Sequence, residues 1–151
     1  MQVGKMTYYG IALTMAATLI AMPSVCRAEQ GKQAVQVSKQ KLVIQVSDAD
    51  PKKWALALNN AANVQEDLGK ENMELEIVAY GPGLGMLKLE SELGGRVKAA
   101  LEDGVKVIAC ENTMHKQKLT QADMLPNLGY VKAGVVELMT KQGEGYAYIR
   151  P

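Results

Sequence analysis

At 151 residues the chain has the length of one domain. A hydrophobic share of 48% and a charged share of 22% suit a globular chain, and with one Trp, six Tyr and no Phe its core must come from aliphatics, Ala and Met. The formal net charge is +1, or −1 beyond Ala28 once Lys5 and Arg27 are subtracted (17 − 2 = 15 basic against 16 acidic residues), which excludes the basic face of a nucleic-acid binder.

The N-terminus reads as a secretory signal. Lys5 supplies the positive charge, no residue from Met6 to Cys26 is charged, and Ile11 to Met22 is densely apolar. Pro23-Ser24 breaks the run, and Cys26-Arg27-Ala28 places small residues at the positions a signal peptidase requires, so cleavage is expected after Ala28. The competing reading is an uncleaved anchor, because the run approaches the ~20 residues that span a bilayer. Thr7, Gly10, Thr14 and Thr18 dilute it. The expected organisation is a signal peptide over 1–28, a polar, glutamine-rich lead-in over 29–40 and one domain over 41–151. The mature chain would be exported to the periplasm or secreted, with no membrane attachment, and would keep Cys110 as its one cysteine, without an internal disulfide.

Lys41 to Ser47 is β-branched and apolar, the pattern of a buried first strand. Asp50 stands as an N-cap before Pro51. Trp54, Ala57, Leu58, Ala61, Val64 and Leu68 then repeat at helical spacing up to Gly69. Met73 to Tyr80 reads as a second strand and leads into Gly81-Pro82-Gly83-Leu84-Gly85. Leu93, Val97, Ala100 and Leu101 place a second helix near Ser91 to Asp103, and Val105 to Cys110 reads as a third strand. Glu111 to Leu119 is a polar turn or short helix, and Thr120 to Asp123 has the form of a capping box. A short strand at Tyr130-Val131, a helix over Ala133 to Gln142 and an edge strand at Tyr146 to Ile149 complete the chain. Strands alternating with helices predict an α/β domain: a mostly parallel sheet of about five strands with helices on both faces.

In such sheets the working residues gather at the C-terminal strand ends. Three features fall there: Asp48 and Asp50, the glycine loop, and Cys110. Cys110 closes a strand and opens a polar turn. If that turn is helical, its free N–H groups favour the thiolate, and His115, Lys116 and Lys118 add positive charge. The alternative is a buried cysteine acting as a small hydrophobe. Gly81, Gly83 and Gly85 could bring backbone amides to an anion, or could serve a tight connection that needs unusual backbone angles. His115 is the sole histidine, so no histidine-based metal cluster can form; it could tune Cys110, but with Lys116, Gln117 and Lys118 around it the solvated reading is favoured. Asp48 and Asp50 suit turn and cap roles.

Leu42-Val43-Ile44-Gln45-Val46-Ser47-Asp48, Val78-Ala79-Tyr80-Gly81-Pro82-Gly83, Gly104-Val105-Lys106-Val107-Ile108-Ala109-Cys110 and Ala133-Gly134-Val135-Val136-Glu137-Leu138 together resemble the DsrE/DsrF-like family, of the YchN-like fold. The resemblance implies a three-layer α/β/α sandwich and homo- or hetero-oligomers, often trimers or hexamers, with a homo-oligomer expected for this chain. It also implies a role in sulfur relay, in which a cysteine after a central strand takes sulfane sulfur as a persulfide from a donor and hands it to an acceptor protein. Cys110 matches that cysteine by position. Asn112 and His115 would tune it, the Gly81–Gly85 loop would shape the pocket, and neither a metal nor an organic cofactor is needed. The alternative is a non-catalytic small-ligand-binding or oligomeric assembly protein of the same fold.

Overall fold

The structure is a computed structural model, and it describes residues 39–151. The expected signal sequence and nearly all of the lead-in lie outside the described residues.

β1 (Gln40–Val46) carries Leu42 to Val46 buried, as its β-branched run requires. α1 (Pro51–Leu68) begins as its sequence dictates: Asp50 accepts the Lys52 N–H through Oδ1 at 2.9 Å, and Pro51 occupies the first turn. Trp54, Ala57, Leu58 and Ala61 form its buried stripe. Gly69, at φ 83°, ends it in a backbone conformation that a side chain would strain. β2 (Met73–Ala79), β3 (Lys106–Cys110), β4 (Gly129–Val131) and β5 (Ala147–Ile149) follow, with α2 (Gly94–Glu102), α3 (Glu111–Lys116) and α4 (Gly134–Gly143) between them.

The five strands lie in the order β4-β3-β2-β1-β5, and every pairing is parallel. Strand side chains alternate between the two faces. Leu42, Ile44, Leu75, Ile77, Val107 and Ala109 meet α1 and α2 in the main core. Val43, Val78 and Ile108, one position out of phase, pack with Leu138 of α4 on the opposite face. Burying each large aliphatic such as Ile44 or Ile77 stabilises the fold by about 1.5–3 kcal/mol.

Two segments depart from the sequence reading. Gly81 to Leu87 is a 3₁₀ helix rather than an open loop, and it buries Leu84, Met86 and Leu87 completely. α2 begins at Gly94, later than Ser91, because Ser91 closes a turn: its carbonyl accepts the Gly94 N–H at 3.0 Å and its hydroxyl the Leu93 N–H at 3.3 Å. The capping box forms, with Asp123 accepting from the Thr120 N–H at 2.7 Å and hydroxyl at 2.8 Å. Met114 and Met124 are core residues. β5 is an exposed edge, as expected of the terminal strand.

Because all strands point one way, the ends of β1, β2 and β3 share one rim. Register sets Val46 beside Ala79, and Ala79 beside Ala109. The three segments after them therefore adjoin.

Candidate functional site

Cys110 is the last residue of β3 and also the N-cap of α3. An N-cap side chain faces the N–H groups of the next turn, two and three residues on. Cys110 occupies that position. A second helix begins nearby: α4 starts at Gly134, two residues after Lys132. Gly134 packs closely there, because a Cβ would lie 3.1 Å from Tyr80 Cβ and 3.2 Å from Val78 Cγ1.

The thiol is 5% exposed. Burial pushes its pKa up, but hydrogen bonds from the Thr113 side chain and from the amides of Gly134, Thr113 and Asn112 outweigh burial and leave it below the ordinary cysteine value. The neutral form has its own partner: the S–H faces the Lys132 carbonyl at 3.9 Å, a long contact for a weak donor. Lys132 O also accepts the Asn112 N–H at 3.1 Å, which ties the start of α3 to the segment before α4.

Thr113 links the glycine segment to the thiol. Its Oγ1 accepts the Gly81 N–H at 2.9 Å, and its side chain is among the groups that lower the Cys110 pKa. Gln117 closes the same junction by donating to the Gly81 carbonyl at 3.3 Å. Gly81 adopts φ +52°.

A scan against protein-family models matches residues 40–151 to the DsrE/DsrF-like family. The chain belongs to the DsrE/DsrF-like family. Among solved structures, this DsrE/DsrF-like chain is similar to a protein of unknown function from Methanobacterium thermoautotrophicum, at 33% identity and TM-score 0.71, over 75% of this chain and 100% of that one. It is also similar in fold to a conserved protein of unknown function from Bacteroides thetaiotaomicron, at 11% identity and TM-score 0.61, over 74% of this chain and 95% of that one. No curated protein matches.

In this DsrE/DsrF-like protein the residues expected to form the site divide. Cys110 and the backbone of Asn112 come together, while the Asn112 side chain is exposed. His115 is exposed in the last turn of α3, and no hydrogen bond joins it to Cys110 among the described residues. Gly81 enters the site through Thr113. Gly83 serves packing: a Cβ there would lie 2.3 Å from the Val46 carbonyl oxygen, and its N–H bonds Tyr80 O at 3.1 Å. Gly85 leaves room for the Trp54 ring, 3.0 Å from where its Cβ would stand. Asp50 is a helix cap, and Asp48 pairs with Lys53 at 3.4 Å and Arg150 at 3.5 Å. Thr113, Lys132 and Gly134 were missed by the sequence reading. Thr113 was findable from its place three residues beyond an N-capping cysteine, and Gly134 from its place at a helix start. Nothing local marks Lys132.

A cavity of about 640 Å³ lies elsewhere, along α2, between Leu89, Gly94, Leu101, Leu125 and Pro126. It does not include Cys110. The rim thus holds a buried thiol with an eased ionisation.

Proposed function

We propose that this protein is an exported, periplasmic sulfur carrier that works through Cys110. The Cys110 thiolate attacks the outer sulfur of a donor such as thiosulfate. The new S–S bond forms as the donor's S–S bond breaks, and sulfite leaves with the electron pair. The enzyme-bound Cys110–S–S⁻ takes up a proton, and an acceptor thiolate then attacks its outer sulfur. Cys110 leaves as thiolate, the acceptor becomes a persulfide, and no external oxidant or reductant enters.

The observation that carries this reading is the place of the Cys110 thiol, at the N-cap of α3 and facing the Lys132 carbonyl before α4, with neighbouring donors that ease its ionisation. The same donors that favour a thiolate favour the terminal anion of a persulfide. Family membership supports sulfur relay, and the signal-like N-terminus supports export. Exposed Val135, Val136 and Met139 on α4, together with the open edge of β5, support a homo-oligomer.

The test is to incubate the purified protein with thiosulfate, polysulfide or glutathione persulfide and record its intact mass. The expected result is a gain of one sulfur, removed by dithiothreitol and absent in Cys110→Ser. An unchanged mass with every donor overturns the reading. A second reading, a ligand-binding or assembly protein in which Cys110 is packing, is favoured by the burial of that thiol and by the cavity along α2.

A further inference from the structure

On the face of the sheet covered by α4, Glu76 stands in the middle of β2 and is 2% exposed. Its Oε1 has no hydrogen-bond partner among the described residues. Its Oε2 lies 3.9 Å from Lys141 Nζ on α4. That ammonium is shared, at 3.6 Å from Glu137 Oε1 and 3.2 Å from Glu144 Oε2. Burial pushes the Lys141 pKa down, but the Glu144 hydrogen bond and the Glu76 charge outweigh this and hold the ammonium charged.

The other elements around Glu76 do little to relieve it. β3 sets Lys106 opposite it in register, with that side chain exposed. β2 itself contributes Glu74, whose carboxylate accepts the Tyr146 hydroxyl at 2.8 Å. β1 contributes Lys41, directed to the Tyr146 ring at 5.4 Å and to the Glu144 carbonyl at 3.4 Å. The contact between α4 and β2 therefore holds two carboxylates, Glu76 and Glu137, against one ammonium that is also engaged elsewhere. A proton relieves the imbalance, because a protonated Glu76 can donate to Glu137. Ionised, Glu76 keeps an unsatisfied buried oxygen that water reaches only if α4 moves.

The same helix begins at Gly134, two residues after the Lys132 carbonyl that the thiol faces at 3.9 Å. We propose that α4 is a proton-linked lid over Cys110, seated on the sheet while Glu76 is protonated and lifting more readily once Glu76 ionises. Burial, and then the neighbouring Glu137, push Glu76 up to about 7 against the pull of Lys141, so the lid responds around neutral pH. The meaning of the lid for sulfur transfer rests on the proposed function. The lid itself does not.

The experiment is amide hydrogen exchange on the full chain at pH 6 and pH 8, each rate normalised to its intrinsic value. The linkage for a carboxyl at about 7 with the lid seated and about 4.5 with it open is about 10-fold over this range. Protection of the α4 amides should fall by that factor in the wild type and stay level in Glu76→Gln. In Glu137→Gln the fall should move to lower pH. In Cys110→Ser it should persist, although that variant cannot take sulfur. A level response in the wild type, the same fall in Glu76→Gln, or its loss in Cys110→Ser overturns the lid. Should Glu76→Gln fail to fold, an unmoved inflection in Glu137→Gln overturns it equally. Failure of persulfide formation with the exchange pattern intact would count against the sulfur chemistry and leave the lid standing.

Discussion

Thr113 accepts the Gly81 N–H through its oxygen, and its side chain is among the groups that ease Cys110 ionisation, so a valine there removes both effects at nearly constant volume. Thr113→Val should raise the thiol pKa, because a donor that favours the thiolate is lost. The rate of iodoacetamide alkylation at neutral pH should fall accordingly. Thr113→Ser, which keeps the hydroxyl, should retain most of the wild-type rate; an equal loss in both variants would mean that the methyl packing matters and the bond does not. Gly83→Ala drives a methyl into the Val46 carbonyl and should cost about 1–3 kcal/mol in a denaturant titration. At this scale the sequence was partly legible. Cys110 stood out as a strand-terminal thiol, and Asp50 as a cap. The division among Gly81, Gly83 and Gly85 was not legible, because it depends on what each faces across space: a threonine hydroxyl, a backbone carbonyl and an indole ring. The solvated reading of His115 was legible from the polar residues around it, and its place in the last turn of α3 leaves it in solvent.

Among the elements, α1 and α4 show how local signals and tertiary packing share the work. α1 is framed by Asp50, Pro51 and Gly69, and its apolar stripe repeats at the helical period, so its extent could be read almost to the residue. Asp50→Ala should cost about 0.5–2 kcal/mol, with the denaturant midpoint falling and the slope unchanged. α4 is different. Its Val135, Val136, Leu138 and Met139 announced a helix, but only Leu138 of these is buried, and Val135, Val136 and Met139 face outward. Periodicity located the helix without saying which of its apolar residues meets the sheet. The Gly81–Leu87 3₁₀ helix was read as a loop for a related reason. Its glycines are turn formers by composition, whereas Leu84, Met86 and Leu87 between and after them insert into the core below.

At the scale of the whole molecule, alternation of strand and helix foretold the parallel sheet and so the single rim on which β1, β2 and β3 end. The charge buried on the opposite face was less legible. Glu74 and Glu76 look alike in sequence, two residues apart on the same side of one strand, yet the Tyr146 hydroxyl lowers the pKa of the first and burial raises that of the second. The stability contribution of Glu76 has a definite sign. Its folded value, about 7, lies above the unfolded value of 4.5, so its contribution is complete below 4.5 and is lost as pH rises through about 7. Stability should therefore decline toward alkaline pH across this window, as read by thermal or denaturant unfolding. Glu76→Gln should flatten that decline and be the more stable protein at pH 8.

The account turns on a buried thiol that ionises more easily than a free cysteine. The most direct measurement is the pH dependence of Cys110 alkylation in the folded protein, followed by mass. We expect one inflection for the thiolate below its ordinary free-cysteine value, shifted upward in Thr113→Val. An inflection at or above that value, unmoved by Thr113→Val, would show that burial dominates at Cys110 and would contradict its role as the sulfur acceptor.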